Sequence, residues 1–123
     1  MDKVNPTGTG YFSLNRKTGH TPGDYSVAVG NQTTASGSVS FAEGYLTKAT
    51  NTCAHAEGHL TIASGNNSHA EGNSTIASGA QSHAEGESTT ASGGSSHAEG
   101  VESVAAAPSS HAEGRGSKAT HKS

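Results

Sequence analysis

The chain has 123 residues, a formal net charge of −3, 29% apolar residues, 4% aromatic residues and no tryptophan. The apolar share falls well below the ~45–50% usual for globular domains, which excludes a thick single core and, taken alone, describes a disordered chain. Lysine and arginine are few and scattered, so neither a nucleic-acid footprint nor a polybasic membrane-binding run is present.

In chain order, "MDKVNPTGTG" (residues 1–10) reads as a flexible N-terminal arm. It has no apolar h-region, so no secretory leader is expected from it, and no later stretch reaches the length of a membrane span. "YFSLN" (Tyr11 to Asn15) aligns with "SVAVG" (Ser26 to Gly30) at an offset of 15, and "RKTGHTPGDY" then completes an irregular first coil. From there the sequence is phase-locked. Glycine returns every 14 residues at Gly30, Gly44, Gly58, Gly72, Gly86, Gly100 and Gly114. Alanine returns two positions before each of them, and a second alanine series runs from Ala35 through Ala63 and Ala91 to Ala119. Thr or Ser stands two residues before the second series, from Thr33 to Ser117. Such a repeat outweighs composition and argues against disorder. The repeat body is expected to span residues 11–120, with residues 121–123 as a C-terminal tail.

Fourteen is two heptads, but no pair of apolar a and d positions recurs every seven residues, and glycine interrupts nearly every heptad. Strand periodicity fits instead. In "SHAEG", Ser68, Ala70 and Gly72 share one face while His69 and Glu71 share the other; in "TIASG", Thr75 and Ala77 oppose Ile76 and Ser78. Each repeat is therefore expected to be two short strands joined by glycine-containing turns, with small Ser, Ala and Thr side chains inward and coils ~4.8 Å apart. Periodicity carries the reading as far as an all-β solenoid.

So slight a core offsets little of the ~1–2 kcal/mol that ordering each residue costs, which turns attention to the outward face. On the first strand its pairs run Phe12 and Leu14, Val27 and Val29, Phe41 and Glu43, and then His55/Glu57, His69/Glu71, His83/Glu85, His97/Glu99 and His111/Glu113. The early pairs form an apolar patch suited to self-association. Glutamates stacked ~4.8 Å apart repel by about 0.9 kcal/mol per pair in water, so each is expected to accept a hydrogen bond from a histidine, drawn from a neighbouring chain in a ring around an axis. All sixteen residues are therefore candidate interface residues. Stability is expected to vary between pH ~4 and ~8, where both groups titrate.

Other chemistries fit less well. His69, His83 and His97, with the adjoining glutamates, form an alternative ligand set for Zn2+ or Ni2+, since imidazole and carboxylate suit both ions, but the repetition exceeds any catalytic need. No cofactor is expected. Ser68 and His69 are adjacent and face apart, which rules out a nucleophile–base pair, and the glutamates form a line rather than facing each other across a cleft as glycosidase acids do. The threonine rows invite an ice- or glycan-binding reading, yet their phase turns them inward. The outward column of the second strand is mixed: Thr34, Lys48, Ile62, Ile76, Thr90, Val104 and Lys118. His20, His59 and His121 fall off the column and are expected to be solvated. The single cysteine, Cys53, excludes an intrachain disulfide and reads as a small strand or turn residue.

"SVAVG" with "TTASG" (Thr33 to Gly37) resembles the 14-residue head repeat of YadA-type trimeric adhesins and related haemagglutinin-like repeats, and the HAEG units resemble a variant found in phage tail and bacterial surface proteins. The resemblance covers roughly Tyr11 to Thr120. It implies a left-handed parallel β-roll assembled as a homotrimer, a structural or adhesive role without catalysis, and a place on an extracellular surface, a spore surface or a virion fibre. It also implies that the chain's main partner is itself, with a host-surface or matrix ligand as a further partner. No neck, coiled-coil stalk or membrane anchor accompanies the repeats, which favours a phage fibre, a spore surface or a segment of a longer surface protein.

Overall fold

The structure is a computed structural model that describes residues 12–16, 19 and 21–121. The expected arm at residues 1–10, Tyr11, His20 and the last two residues of the expected tail lie outside the described residues, as do the side chains of Phe12 and Leu14.

Two parallel ladders run the length of the repeat. The first contains β1 (Phe12–Arg16), β2 (Val27–Ala35), β3 (Phe41–Tyr45), β5 (His55–His59), β7 (His69–Asn73), β9 (His83–Ala84), β11 (His97–Ala98) and β13 (His111–Ala112). The second starts from the far end of β2 and continues through β4 (Lys48–Ala49), β6 (Ile62–Ala63), β8 (Ile76–Ala77), β10 (Thr90–Ala91), β12 (Val104–Ala105) and β14 (Lys118–Ala119). Each strand pairs with the one a full turn away, His55 with His69 and Ala56 with Ala70, so the chain is an all-β parallel solenoid with a 14-residue turn. The extra residue expected in the first coil is seen in the register: Phe12 pairs with Val27 and Leu14 with Val29, followed by a shift that sets Arg16 beside Thr33.

The core is a file of methyl groups. Ala42, Ala49, Ala56, Ala63, Ala70 and Ala77 are fully buried, and Thr33, Thr47, Thr61, Thr75 and Thr89 are buried with them. Apolar burial this small leaves much of the cohesion to main-chain hydrogen bonds. Strand N–H groups donate to the following turn, as from His55 to the Ser68 carbonyl and from Ile62 to the Thr75 carbonyl, each at 2.9 Å.

The turns use a device other than the expected one. Tyr25, Gln32, Val39, Leu46, Cys53, Leu60 and Asn67 all have φ between 54° and 58°, and the series continues at the same spacing to Ser109. None is glycine, although the left-handed region costs an L-residue ~1–2 kcal/mol. The conformation reverses the amide. Instead of reaching forward, Leu60 N–H donates back to the Tyr45 carbonyl at 2.9 Å and Gln81 N–H back to Asn66 at 2.8 Å. Every coil is thereby bonded to the one ahead through its strands and to the one behind through its turns.

The glycines answer a different demand. Gly58 and Gly72 combine φ of 106° and 105° with contact so close that an added Cβ would lie 2.2 Å from the carbonyl oxygen of the glycine stacked on each. The expected turn glycines thus sit where the first-ladder strand bends, two residues ahead of the left-handed residue.

Among the expected outward positions of the second ladder, Thr34 departs: it is buried, at 4% exposure. Its neighbour Thr33 is the residue that pairs with Arg16 after the register shift in β1. Ile76 and Lys48 are exposed, as the phase requires.

Candidate functional site

Strand periodicity places His and Glu on one side of the first ladder, and parallel in-register pairing stacks them. The rings of His55, His69, His83, His97 and His111 form a column with centroids 4.6–4.8 Å apart and planes within 5° of parallel. Phe41 caps it edge-on, 5.0 Å from His55, so the apolar rungs pass into the polar ones without a break.

The glutamates find their partners inside the chain. His69 Nε2 donates to Glu57 Oε1 at 3.3 Å, His83 to Glu71 at 3.2 Å, His97 to Glu85 at 3.3 Å and His111 to Glu99 at 3.2 Å. Each bond descends one turn, from a histidine to the glutamate of the preceding coil. The donor expected from a neighbouring chain is therefore supplied by the same chain, because each imidazole leans diagonally between in-register strands to the carboxylate of the coil behind it. A second approach joins His and Glu of one coil, at 3.9 Å for both His83–Glu85 and His97–Glu99. The result is a zigzag of imidazoles and carboxylates along one edge.

The ends of the zigzag differ from its middle. Between Glu57 and Glu99 the ladder side chains are about one-third exposed, whereas Glu113 in the last coil is 70% exposed. At the other end, His55 Nε2 has no hydrogen-bond partner, although Glu43 occupies the place below it that Glu57 occupies below His69. Burial, and then the neighbouring His69, lower the pKa of His55 and keep its ring neutral. Glu43 accordingly turns to another carboxyl: a hydrogen bond with Glu57, together with burial, raises its pKa. For Glu71, burial pushes the pKa up, but hydrogen bonds with Glu85, Glu57 and His83 outweigh it and the net shift is downward.

The sequence-stated sites are brought together unevenly. Val27, Val29, Phe41 and Glu43 are half-buried on the same ladder as the five His/Glu pairs and continuous with them. His69, His83 and His97 do stack, but their parallel rings set the Nε2 atoms side by side, so no single ion lies in the plane of two of them. His59 is exposed, as expected, and also engaged: it stacks on Tyr45 at 5.3 Å and bonds Asn73 Oδ1 at 3.1 Å. His121 is exposed, and so is Cys53, which occupies a turn. Among the described residues no helix is long and apolar enough to cross a membrane.

The sequence reading missed the inward hydroxyls as a group with two fates. Ser40, Ser68, Ser82 and Ser96 donate to the carbonyl three residues back, at 2.6–2.7 Å. Thr33, Thr47, Thr61 and Thr75 have buried hydroxyls with no partner. Ser26 is also unpartnered, whereas Thr89 donates to the Glu85 carbonyl at 3.0 Å, so the alternation of Ser and Thr marks the two fates only in the coils between them.

A sequence model of the YadA head domain repeat matches residues 22–47, 56–82 and 84–106, with two copies of the repeat. No curated protein sequence matches the chain.

Proposed function

The chain belongs to the YadA head domain repeat family, and from that premise we propose that it is a structural, adhesin-like module that works as a left-handed homotrimer with its first ladders turned toward a common axis. The observation that carries this reading is the continuity of one face. Val27, Val29 and Phe41 lead directly into the His/Glu zigzag, with no polar interruption in the stack. A lone solenoid with so small a core gains little from apolar burial, and covering this face is the available source of more. The intrachain hydrogen bonds fit such a role, because a carboxylate already bonded to an imidazole costs less to cover than a bare one. The regular rungs favour a scaffold or adhesive surface over catalysis. An exposed location follows for a module of this kind, on an extracellular or spore surface or in a phage tail fibre, with a host-surface or matrix ligand as its outer partner.

Mass in solution tests the assembly. Light scattering and native mass spectrometry should return three chains per particle, and a folded, stable monomer would sink the proposal. Replacing Val27 and Val29 with Asp should shift the mass to one chain if the face is the contact.

A further inference from the structure

We propose that the His/Glu zigzag binds divalent transition-metal ions at sites contained within a single chain, each ion held by one imidazole and two carboxylates. The distances carry the inference. His83 Nε2 and Glu71 Oε1 are 3.2 Å apart, and His97 Nε2 and Glu85 Oε1 are 3.3 Å apart. Two ligands of one tetrahedral zinc ion, each ~2.0–2.1 Å from it, stand roughly 3.3 Å from each other. An ion can therefore take the place of the shared proton without moving either strand. The second carboxylate comes from the histidine's own coil: Glu85 Oε2 lies 3.9 Å from His83 and Glu99 Oε2 lies 3.9 Å from His97, and a side-chain rotation closes the remainder.

Ligand atoms crowd the whole ladder: two imidazoles and one carboxylate lie within 4.8 Å of one another in each of His55–Glu57–His69, His69–Glu71–His83, His83–Glu85–His97 and His97–Glu99–His111. Parallel ring stacking decides between the two ways of using them. An imidazole lone pair lies in the ring plane, so consecutive rings do not converge on one ion, and the second protein ligand is a carboxylate. The His55 end adds a separate sign, a ring nitrogen without a hydrogen-bond partner 4.0 Å from Glu57. In the single chain the side chains of His83, Glu85 and His97 are about one-third exposed, which leaves a path for the ion and room for water in its remaining position. Imidazole with carboxylate suits Zn2+, Ni2+ and Co2+. Because Glu85 serves both His83 and His97, adjacent sites compete for it, and dications on successive coils would repel at the strand spacing. Ions therefore occupy alternate coils, two to a chain.

The proposal does not rest on the trimer, since every ligand belongs to one chain; a monomer that binds metal would overturn the assembly reading and leave this one standing. The test is calorimetric titration of the metal-stripped protein with Zn2+ and with Ni2+ at neutral pH, with Co2+ absorption as a report on coordination. Saturable binding near two ions per chain and a rise in melting temperature are expected. Glu71→Gln/Glu85→Gln/Glu99→Gln keeps hydrogen-bond acceptors and should weaken binding at least about tenfold. His59→Gln/His121→Gln, off the column, should leave it unchanged. If the triple variant fails to fold by circular dichroism, His97→Gln alone serves, and should lower the stoichiometry or the affinity. No saturable binding, or binding equal in the ladder variants and the wild type, would overturn the proposal, and saturation at one ion per coil would overturn the alternate filling.

Discussion

The two halves of each coil share one backbone plan and differ in chemistry. Each half has an inward Ser or Thr, a buried alanine two residues on, glycine or a substitute two residues after that, and a left-handed residue closing the turn. On the His/Glu half the glycine has φ near 105°, as at Gly58 and Gly72, and the column holds glycine at every coil from Gly30 to Gly114. On the other half Gly65 and Gly79 have no left-handed φ, and the same column admits Asn51 and Ala107. The inward hydroxyl is satisfied at Ser68 and Ser82 but orphaned at Thr61 and Thr75. A nearly symmetric backbone thus supports one strictly constrained side and one permissive side, and the constrained side is the one that carries the ladder.

The largest expected effect breaks that asymmetry at glycine. Gly72→Ala meets both a left-handed φ and a carbonyl at 2.2 Å, and should cost about 3 kcal/mol or more in urea unfolding. Gly79→Ala meets only the close carbonyl, at a column where the chain itself places alanine, and should cost about half as much. Equal losses would remove the distinction between the halves.

Hydroxyls give a smaller effect with opposite signs. Ser68→Ala gives up a buried hydrogen bond and should lower stability by ~1 kcal/mol, whereas Thr61→Val removes an unpaired buried hydroxyl at constant shape and should raise it by ~1 kcal/mol. A loss from Thr61→Val would mean that its hydroxyl has a partner after all. At the turns, Val39→Asn exchanges a β-branched residue at φ 57° for one that tolerates that region and should gain a few tenths of a kcal/mol to ~1 kcal/mol, read as a shift of the urea midpoint.

The smallest effect is with pH, and it belongs to the ladder half alone. The folded pKa of His55 lies below its ordinary 6.5, so the folded state binds fewer protons than the unfolded one; its contribution is whole above pH 6.5 and is lost as the pH falls through the folded value. Glu71, lowered from 4.5, adds a further loss in stronger acid. Glu43 works the other way: its raised value makes ionisation costly in the fold, so Glu43→Gln should be slightly stabilising at neutral pH. Unfolding midpoints measured from pH 8 to pH 4 should therefore decline toward acid. A rise toward acid would contradict the neutral His55.

Much of the fold was legible because its signals are local. Period 2 within "SHAEG" and period 14 between copies place Ala70 inward, His69 and Glu71 outward, and each coil on the next, and the irregular register of Phe12 with Val27 could be read from one extra residue. The partner of each glutamate could not. Whether His69 reaches Glu57 or another chain depends on how a side chain leans between strands, and no sequence spacing encodes that lean. The left-handed residues escaped for a related reason. Propensity looks for glycine or asparagine at such places, whereas Val39, Leu46 and Cys53 hold theirs because the main-chain hydrogen bond must turn back there. The clue was Ala28, Ala35, Ala42 and Ala49, one series at a spacing of seven that a search for large heptad side chains passes over.

That spacing has a consequence for how such a chain can change length. A duplication or loss of 14 residues adds or removes one coil and leaves every column intact. A change of seven leaves the alanines, the small hydroxyls and the turn residues in phase, since each recurs at that interval. It nonetheless carries everything downstream to the opposite side of the shaft, so the histidine stripe would stop on one flank and resume on the other. Main-chain phase and surface phase are separate clocks here, one ticking twice for each tick of the other, and only the slower one keeps a continuous stripe facing a single direction.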